Sequence, residues 1–188
     1  MTSLMVLLVL VVALALLFDF LNGFHDAANA IATVVVTRTL TPLQAVTLAG
    51  LANFVGYFAF GHAIAKMVSS GIIHMEMVAT PDGKMVVLLA ALIGAVGWNI
   101  LTWIFGLPTS SSHAIIGGLL GSGLAAAGPE IVIFGHLAIE NGKLVSTGIL
   151  PVIAFIAIAP LLGMIGAMIF TVIILNLFRK MSHMNANH

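Results

Sequence analysis

Of the chain's 188 residues, 61% are hydrophobic and only 6% are charged, with a mean hydropathy of +1.22. Soluble domains carry roughly 25% charged residues, so this composition excludes them and marks an integral membrane protein. Six basic residues balance six acidic ones and cysteine is absent, which excludes a nucleic-acid surface, disulfides, thiolate metal sites and cysteine nucleophiles.

The apolar content runs from end to end with no linker, so residues 1–188 read as a single transmembrane domain in contact with the lipid bilayer. Met1 to Phe18 carries no charge and lacks the basic start and small-residue cleavage site of a signal peptide, which makes it a retained first helix. The polar stretch Asp19 to Ala30 follows, then apolar residues up to Thr37 and Arg38. One straight helix of that length would overshoot a hydrocarbon core of about 30 Å, which predicts a break near Asn22-Gly23. If the segment after the break is helical, Asn22, Asp26, Asn29 and Thr33 share one face by their i, i+4, i+7, i+11 spacing. That polar stripe should face protein rather than lipid. An intramembrane acid needs a cation, a proton or a partner; helix capping is the plainer role for Asp26. Asp19 fits either a functional position or the membrane surface.

Thr39 to Ala65 is a second charge-free run, opened by Thr41-Pro42 as cap and first helical position. Asn53 within it reads as an interhelical hydrogen-bonding residue and His62 as structural or interfacial. Lys66 to Lys84 contains His74, Glu76, Pro81, Asp82 and Gly83 and reads as an aqueous or interfacial connector. Its methionines and His74 show no repeated ligand spacing, so loop packing is preferred to a soft-metal site.

From Met85 to Pro129 there is no acid, lysine or arginine, enough for two membrane elements of about 20 residues each. Gly106-Leu107-Pro108 divides them. The first carries Trp98, Asn99 and Trp103, and the second carries Gly117, Gly118, Gly121 and Gly123, small residues that let backbones approach. At the start of the second stand Thr109, Ser110, Ser111, Ser112 and His113. Hydroxyls massed at membrane depth are costly unless something binds them. Pro108 just ahead marks a helix N-terminus, whose free N–H groups and positive dipole end favour an anion. An oxyanion site is therefore preferred to simple capping or back-bonding.

Gly128-Pro129 ends that element, and Glu130, His136, Glu140, Asn141-Gly142 and Lys143 lie in the next connector. Leu144 to Phe178 is charge-free, interrupted by Pro151 and Pro160, and reads as one long kinked or tilted helix. Arg179-Lys180 stops it ahead of a polar tail, Ser182 to His188, and these basic residues favour a cytoplasmic C-terminus.

Gly23-Phe24-His25-Asp26-Ala27-Ala28-Asn29-Ala30 together with Gly106-Leu107-Pro108-Thr109-Ser110-Ser111-Ser112-His113-Ala114 resembles the inorganic phosphate transporter family. Members of that family carry a Gly-x-Asn-Asp-x-x-Asn-Ala type motif and a Pro-x-Ser-x-x-His type motif. The resemblance implies an all-α polytopic fold of two inverted repeats, with broken helices and re-entrant hairpins meeting at a central site. Each motif occurs once here, so the chain resembles the N-terminal repeat, with a broken first helix and room for a re-entrant hairpin. On this resemblance Thr109, Ser110, Ser111, Ser112 and His113 form the substrate motif, while Asp26 and Asn29, with His25 and Asn22 beside them, bind or respond to the coupling ion.

His25 stands where sodium-coupled members have asparagine and is similar to the bacterial low-affinity type. For that type, proton-coupled symport and carriage of phosphate as a neutral divalent-metal complex are implied, in a multi-pass protein of the bacterial inner membrane; sodium is the alternative coupling ion. No resident cofactor or metal is implied. The partner implied is a second half-transporter subunit or a second copy in the opposite orientation. Residues alone supply only an oxyanion, so a sulfate permease shares the donors, and an inactive half-protein serving assembly keeps the fold. An intramembrane serine hydrolase is disfavoured because no Gly-x-Ser-x-Gly elbow is present.

Overall fold

A computed structural model describes residues 2–60, 71–140 and 143–179. These fall into two compact units, one ending at Gly148 and one beginning at Ile149. His62, the start of the connector at Lys66, Asn141-Gly142 and the tail from Lys180 lie outside the described residues.

Helix α1, Thr2–Val36, runs unbroken for 35 residues, which corrects the expected break at Asn22-Gly23. A glycine inside a helix costs only about 1 kcal/mol relative to alanine, and nothing lies within 4 Å of where a Gly23 Cβ would stand, so no neighbour wedges the helix open. His25 Nδ1 also bonds the Leu21 carbonyl at 2.9 Å, across the very turn where the break was expected. At 1.5 Å per residue α1 is about 52 Å long, so it tilts or projects beyond a hydrocarbon core of about 30 Å. Leu7, Val11, Leu14, Phe18, Leu21 and His25 are its half-buried stripe, spaced by three or four residues. Arg38, at φ 57, turns the chain out of the helix in a left-handed conformation.

Helix α2, Pro42–Phe60, opens as the sequence reading expects. The Gln44 N–H donates to Thr41 Oγ1 at 3.4 Å and the Thr41 N–H donates back to Gln44 Oε1 at 3.0 Å, a reciprocal capping box. Small residues, Ala45 buried and Ala49 half-buried, bring α2 against α1, while Asn53 is exposed.

Helices α3, Pro81–Ile104, and α4, Ser111–Ala127, form the centre of the first unit. Thr80 caps α3 by accepting from the Gly83 N–H at 3.1 Å. The turn between the helices falls at Gly106 (φ 61), as the sequence reading expects, where a residue bearing a Cβ would be disfavoured. Gly118 lies directly on the carbonyl of Ala91, and a Cβ there would collide with it. Trp98 meets Thr109 further along, through an Nε1–H to Oγ1 bond of 3.2 Å. These two contacts fix an antiparallel register.

The segment before α3 departs from the expected aqueous connector. Ile72 and Ile73 are 1% and 6% exposed and share one core with Val87, Ala91, Leu119 and the fully buried Ile131. Backbone bonds from His74 N to Ile131 O (2.7 Å) and from Ile133 N to Ile72 O (3.0 Å) join the two connectors. Each connector contributes only two or three apolar residues, which look unremarkable alone; the pairing of Ile72-Ile73 with Ile131-Val132-Ile133 makes them a core. Water-facing residues remain at its edge, where His74 Nδ1 lies 3.0 Å from Glu76 Oε1. The Glu76 carboxyl is held below its usual value, first by a backbone hydrogen bond and then by His74.

Strands β1, His136–Glu140, and β2, Lys143–Thr147, pair antiparallel with His136 opposite Thr147 and Glu140 opposite Lys143. The last long helix therefore starts later than the end of its connector predicts. Helix α5, Ile149–Phe178, passes through Pro160 and has Val152 as its buried residue. Helices α1, α3 and α5 are long and apolar enough to cross a membrane, whereas α4, with 17 residues, is shorter. The fold is that of an all-α polytopic membrane protein with one small β-hairpin.

Candidate functional site

The two motifs meet where α1 crosses the start of α4. Ser111, 8% exposed, donates its hydroxyl to Asn22 Oδ1 and so ties the second motif to the first. Ser110 is the N-cap of α4, its Oγ accepting from the His113 N–H at 3.4 Å. The N–H groups of Ser111 and Ser112 have no partner one turn earlier in the helix, as at any helix start. Thr102, 1% exposed, donates to the carbonyls of Trp98 (2.9 Å) and Asn99 (3.0 Å), keeping its hydroxyl on its own helix. Phe24 and Trp103 meet edge to face at 6.0 Å between centroids.

Helical rise places the rest. Ser111 lies seven residues before Gly118, about 10.5 Å back along α4, and the same distance along antiparallel α3 from Ala91 reaches Trp98 and Asn99. Asn22, Asn99 and Ser111 thus occupy one level of the three-helix junction, and His25 and Thr102 the next.

Two open cavities flank the Pro108-Thr109 turn, and both residues line each of them. One, of about 590 Å³, has a glycine floor of Gly94, Gly117 and Gly118, with Trp98, Ser110 and His113 around it. The other, of about 370 Å³, brings His25 and Asn29 of α1 to Thr102, Trp103 and Thr109. The hydroxyl cluster is accordingly divided: Ser110 faces one cavity, Thr109 both, Ser111 is turned inward to Asn22, and Ser112 is exposed outside either.

The polar stripe of α1 is also divided. Asn22 is half-buried at the edge of the packing face, but Asp26, Asn29 and Thr33 are exposed, as is Asp19. The reason is angular: the packing stripe runs through Leu21 and His25, and the polar stripe is rotated away from it by part of a turn. Expected to face protein, Asp26, Asn29 and Thr33 are exposed among the described residues, although Asn29 still lines the smaller cavity. Among the described residues no group of three or more His, Asp or Glu could hold a metal ion.

Asn99 and Thr102 were not among the expected site residues, yet they are the most buried polar side chains of the junction. A lone asparagine inside an apolar helix was the available signal.

Comparison with known proteins fits this geometry. Residues 22–188 match the model of the phosphate transporter family. A protein of Rhizobium meliloti (strain 1021) is 49% identical over 153 residues, covering 81% of this chain and 44% of that protein. One from Bacillus subtilis (strain 168) is 45% identical over 157 residues, covering 83% and 45%. Both bear the name probable low-affinity inorganic phosphate transporter. A solved structure of a protein named the sodium-dependent phosphate transporter superposes with a TM-score of 0.62 at 35% identity, covering 70% of this chain and 32% of that one. The chain spans about half the length of the two named bacterial relatives, at 44% and 45%. Motifs, polytopic helices and family match converge, and the chain belongs to the phosphate transporter family.

Proposed function

We propose that the chain forms one half of a secondary phosphate transporter, with the oxyanion docking at the start of α4. The observation that carries this reading is the cavity in which His25 and Asn29 of the first motif meet Pro108 and Thr109 of the second. It adjoins the N-terminus of α4, where unpaired N–H groups and the positive dipole end favour an anion. Thr109, which lines both cavities, and Ser110, on the larger one beside His113, offer hydroxyls to the ligand, Ser112 stands exposed next to them, and Ser111 holds α1 in place through Asn22. The relatives' names supply phosphate; the donors alone would also suit sulfate.

Proton coupling is the favoured mode, because histidine changes charge near neutral pH and His25 stands in the cavity wall. Asp26 and Asn29 join it as coupling residues, and phosphate carried as a divalent-metal complex would lower the charge to be moved. Sodium coupling is the second reading, favoured by the name of the solved relative. An exposed intramembrane acid is costly in lipid, so the face bearing Asp26 is covered by a second repeat or a second copy, which supplies the opposite wall of the site. Both units of the chain belong to one membrane domain, and rocking of the two repeats switches access.

Uptake of labelled phosphate into vesicles containing the protein tests this. Thr109→Val with Ser110→Ala is expected to reduce uptake about tenfold or more, the effect of losing one or two hydrogen bonds to a charged ligand at roughly 1.5–3 kcal/mol each. Asp26→Asn should abolish uptake driven by an inward proton gradient. Wild-type rates in both variants would sink the assignment, and stimulation by sodium alone would replace the proton.

A further inference from the structure

Two polar side chains of α1 and α3 are buried with ring or amide atoms that lack a hydrogen-bond partner among the described residues. Asn99 is 1% exposed, and neither Nδ2 nor Oδ1 of its carboxamide has a hydrogen-bond partner among the described residues. His25 Nε2 is buried and unbonded as well. Native interiors pair the great majority of such atoms with protein or with ordered water, so each of these orphans calls for a partner.

Their chemistry says what. His25 Nδ1 lies 2.9 Å from the Leu21 carbonyl, an oxygen that can only accept, so Nδ1 carries a hydrogen and Nε2 of the neutral ring is a bare acceptor. Asn99 offers both a donor and an acceptor. Asn99 stands three residues, about 4.5 Å of helical rise, before Thr102, and Thr102 lines the same cavity as His25.

From these observations we propose a buried proton-binding site in which an ordered water bridges His25 Nε2 and the Asn99 carboxamide. A proton arriving through the cavity binds Nε2, and Asn99 Oδ1 then accepts from the Nε2–H, directly or through the water; the proton leaves by the reverse step. Asn99 is a positioning residue in this scheme. Its role in transport rests on the proton-coupled reading above.

Among the described residues few other charges face the site. Helix α3 has no ionisable side chain from Met85 to Ile104; α4 carries only His113, which lines the other cavity; and α2 carries only Tyr57. On α1 itself Asp19 and Asp26 flank His25 but are exposed.

The test is nitrogen-15 magnetic resonance of histidine-labelled protein in lipid bilayers, with the His25 signal identified by its loss in His25→Gln. A neutral Nδ1–H form that titrates reversibly is expected. Asn99→Leu should move the midpoint by about half a pH unit or more, roughly threefold in proton affinity, while Asn99→Ser, which leaves space and a hydroxyl for water, restores it in part. Thermal unfolding controls for folding, because leucine at a merely structural, dry Asn99 would leave the midpoint where it was. An unchanged midpoint in folded Asn99→Leu, or no His25 titration between about pH 5 and 9, overturns the site. Uptake indifferent to a proton gradient, with titration still dependent on Asn99, would support the site and overturn the transport reading instead.

Discussion

At the scale of single residues, Ser111 has a structural role that sets it apart from the neighbouring hydroxyls. Its O–H is engaged by Asn22 Oδ1, so it joins the motifs and is not a free donor for an anion. Removing Asn22 leaves the buried Ser111 hydroxyl unpaired, at about 1–3 kcal/mol, and removing Ser111 leaves the half-buried Asn22 unpaired at a smaller cost. Removing both with apolar residues of similar shape is far milder. We therefore expect Ser111→Ala and Asn22→Leu each to destabilise the protein, and the double variant to be less destabilised than their sum by about 0.5–3 kcal/mol. Denaturation of the four proteins in one detergent measures this, and strict additivity would mean that the contact contributes nothing. Ser110 is a separate case: its Oγ caps α4 while facing the larger cavity, so its loss should touch both helix stability and ligand binding.

At the scale of elements, local signals predicted local structure. The Thr41-Pro42 start of α2 and the Gly106-Pro108 divide could be read directly, because caps and left-handed turns depend on a few neighbouring residues. The junction of the two motifs was legible in part: they were expected to form one site with Asp26 and Asn29 as the coupling partners, but the contact that joins them is Ser111 to Asn22, and Asn99 depends on which face of α3 is buried, which no spacing reveals. Continuity of α1 was missed because a glycine only weakens a helix, and the His25 side chain bonds the Leu21 carbonyl across that turn. The connector core was missed because Ile72-Ile73 and Ile131 are far apart in sequence and acquire meaning only when paired. Ile131, 0% exposed and in contact with Gly123, is the key of that core. Ile131→Ala should cost about 2–5 kcal/mol, and a stability loss under about 0.5 kcal/mol would show that the two connectors do not fold as one unit.

At the scale of the whole molecule, the surfaces of the two units differ in what they ask of their surroundings. Helix α5 presents exposed apolar side chains such as Met168, Ile169 and Phe170, a surface suited to hydrocarbon. The exposed face of α1 carries Asp26, Asn29 and Thr33 instead, a combination that lipid does not tolerate and that water or protein does. Because the chain has no cysteine, single introduced cysteines can distinguish these surroundings directly. Asn29→Cys, at the wall of the smaller cavity, should react in intact membranes with a small charged maleimide, and millimolar phosphate should slow the reaction. Met168→Cys should stay unreactive until detergent dissolves the bilayer. Equal reactivity of the two positions, or indifference of Asn29→Cys to phosphate, would contradict an aqueous substrate path along α1. Protection by phosphate would place the ligand beside the first motif, where Thr109 and His25 already share a wall.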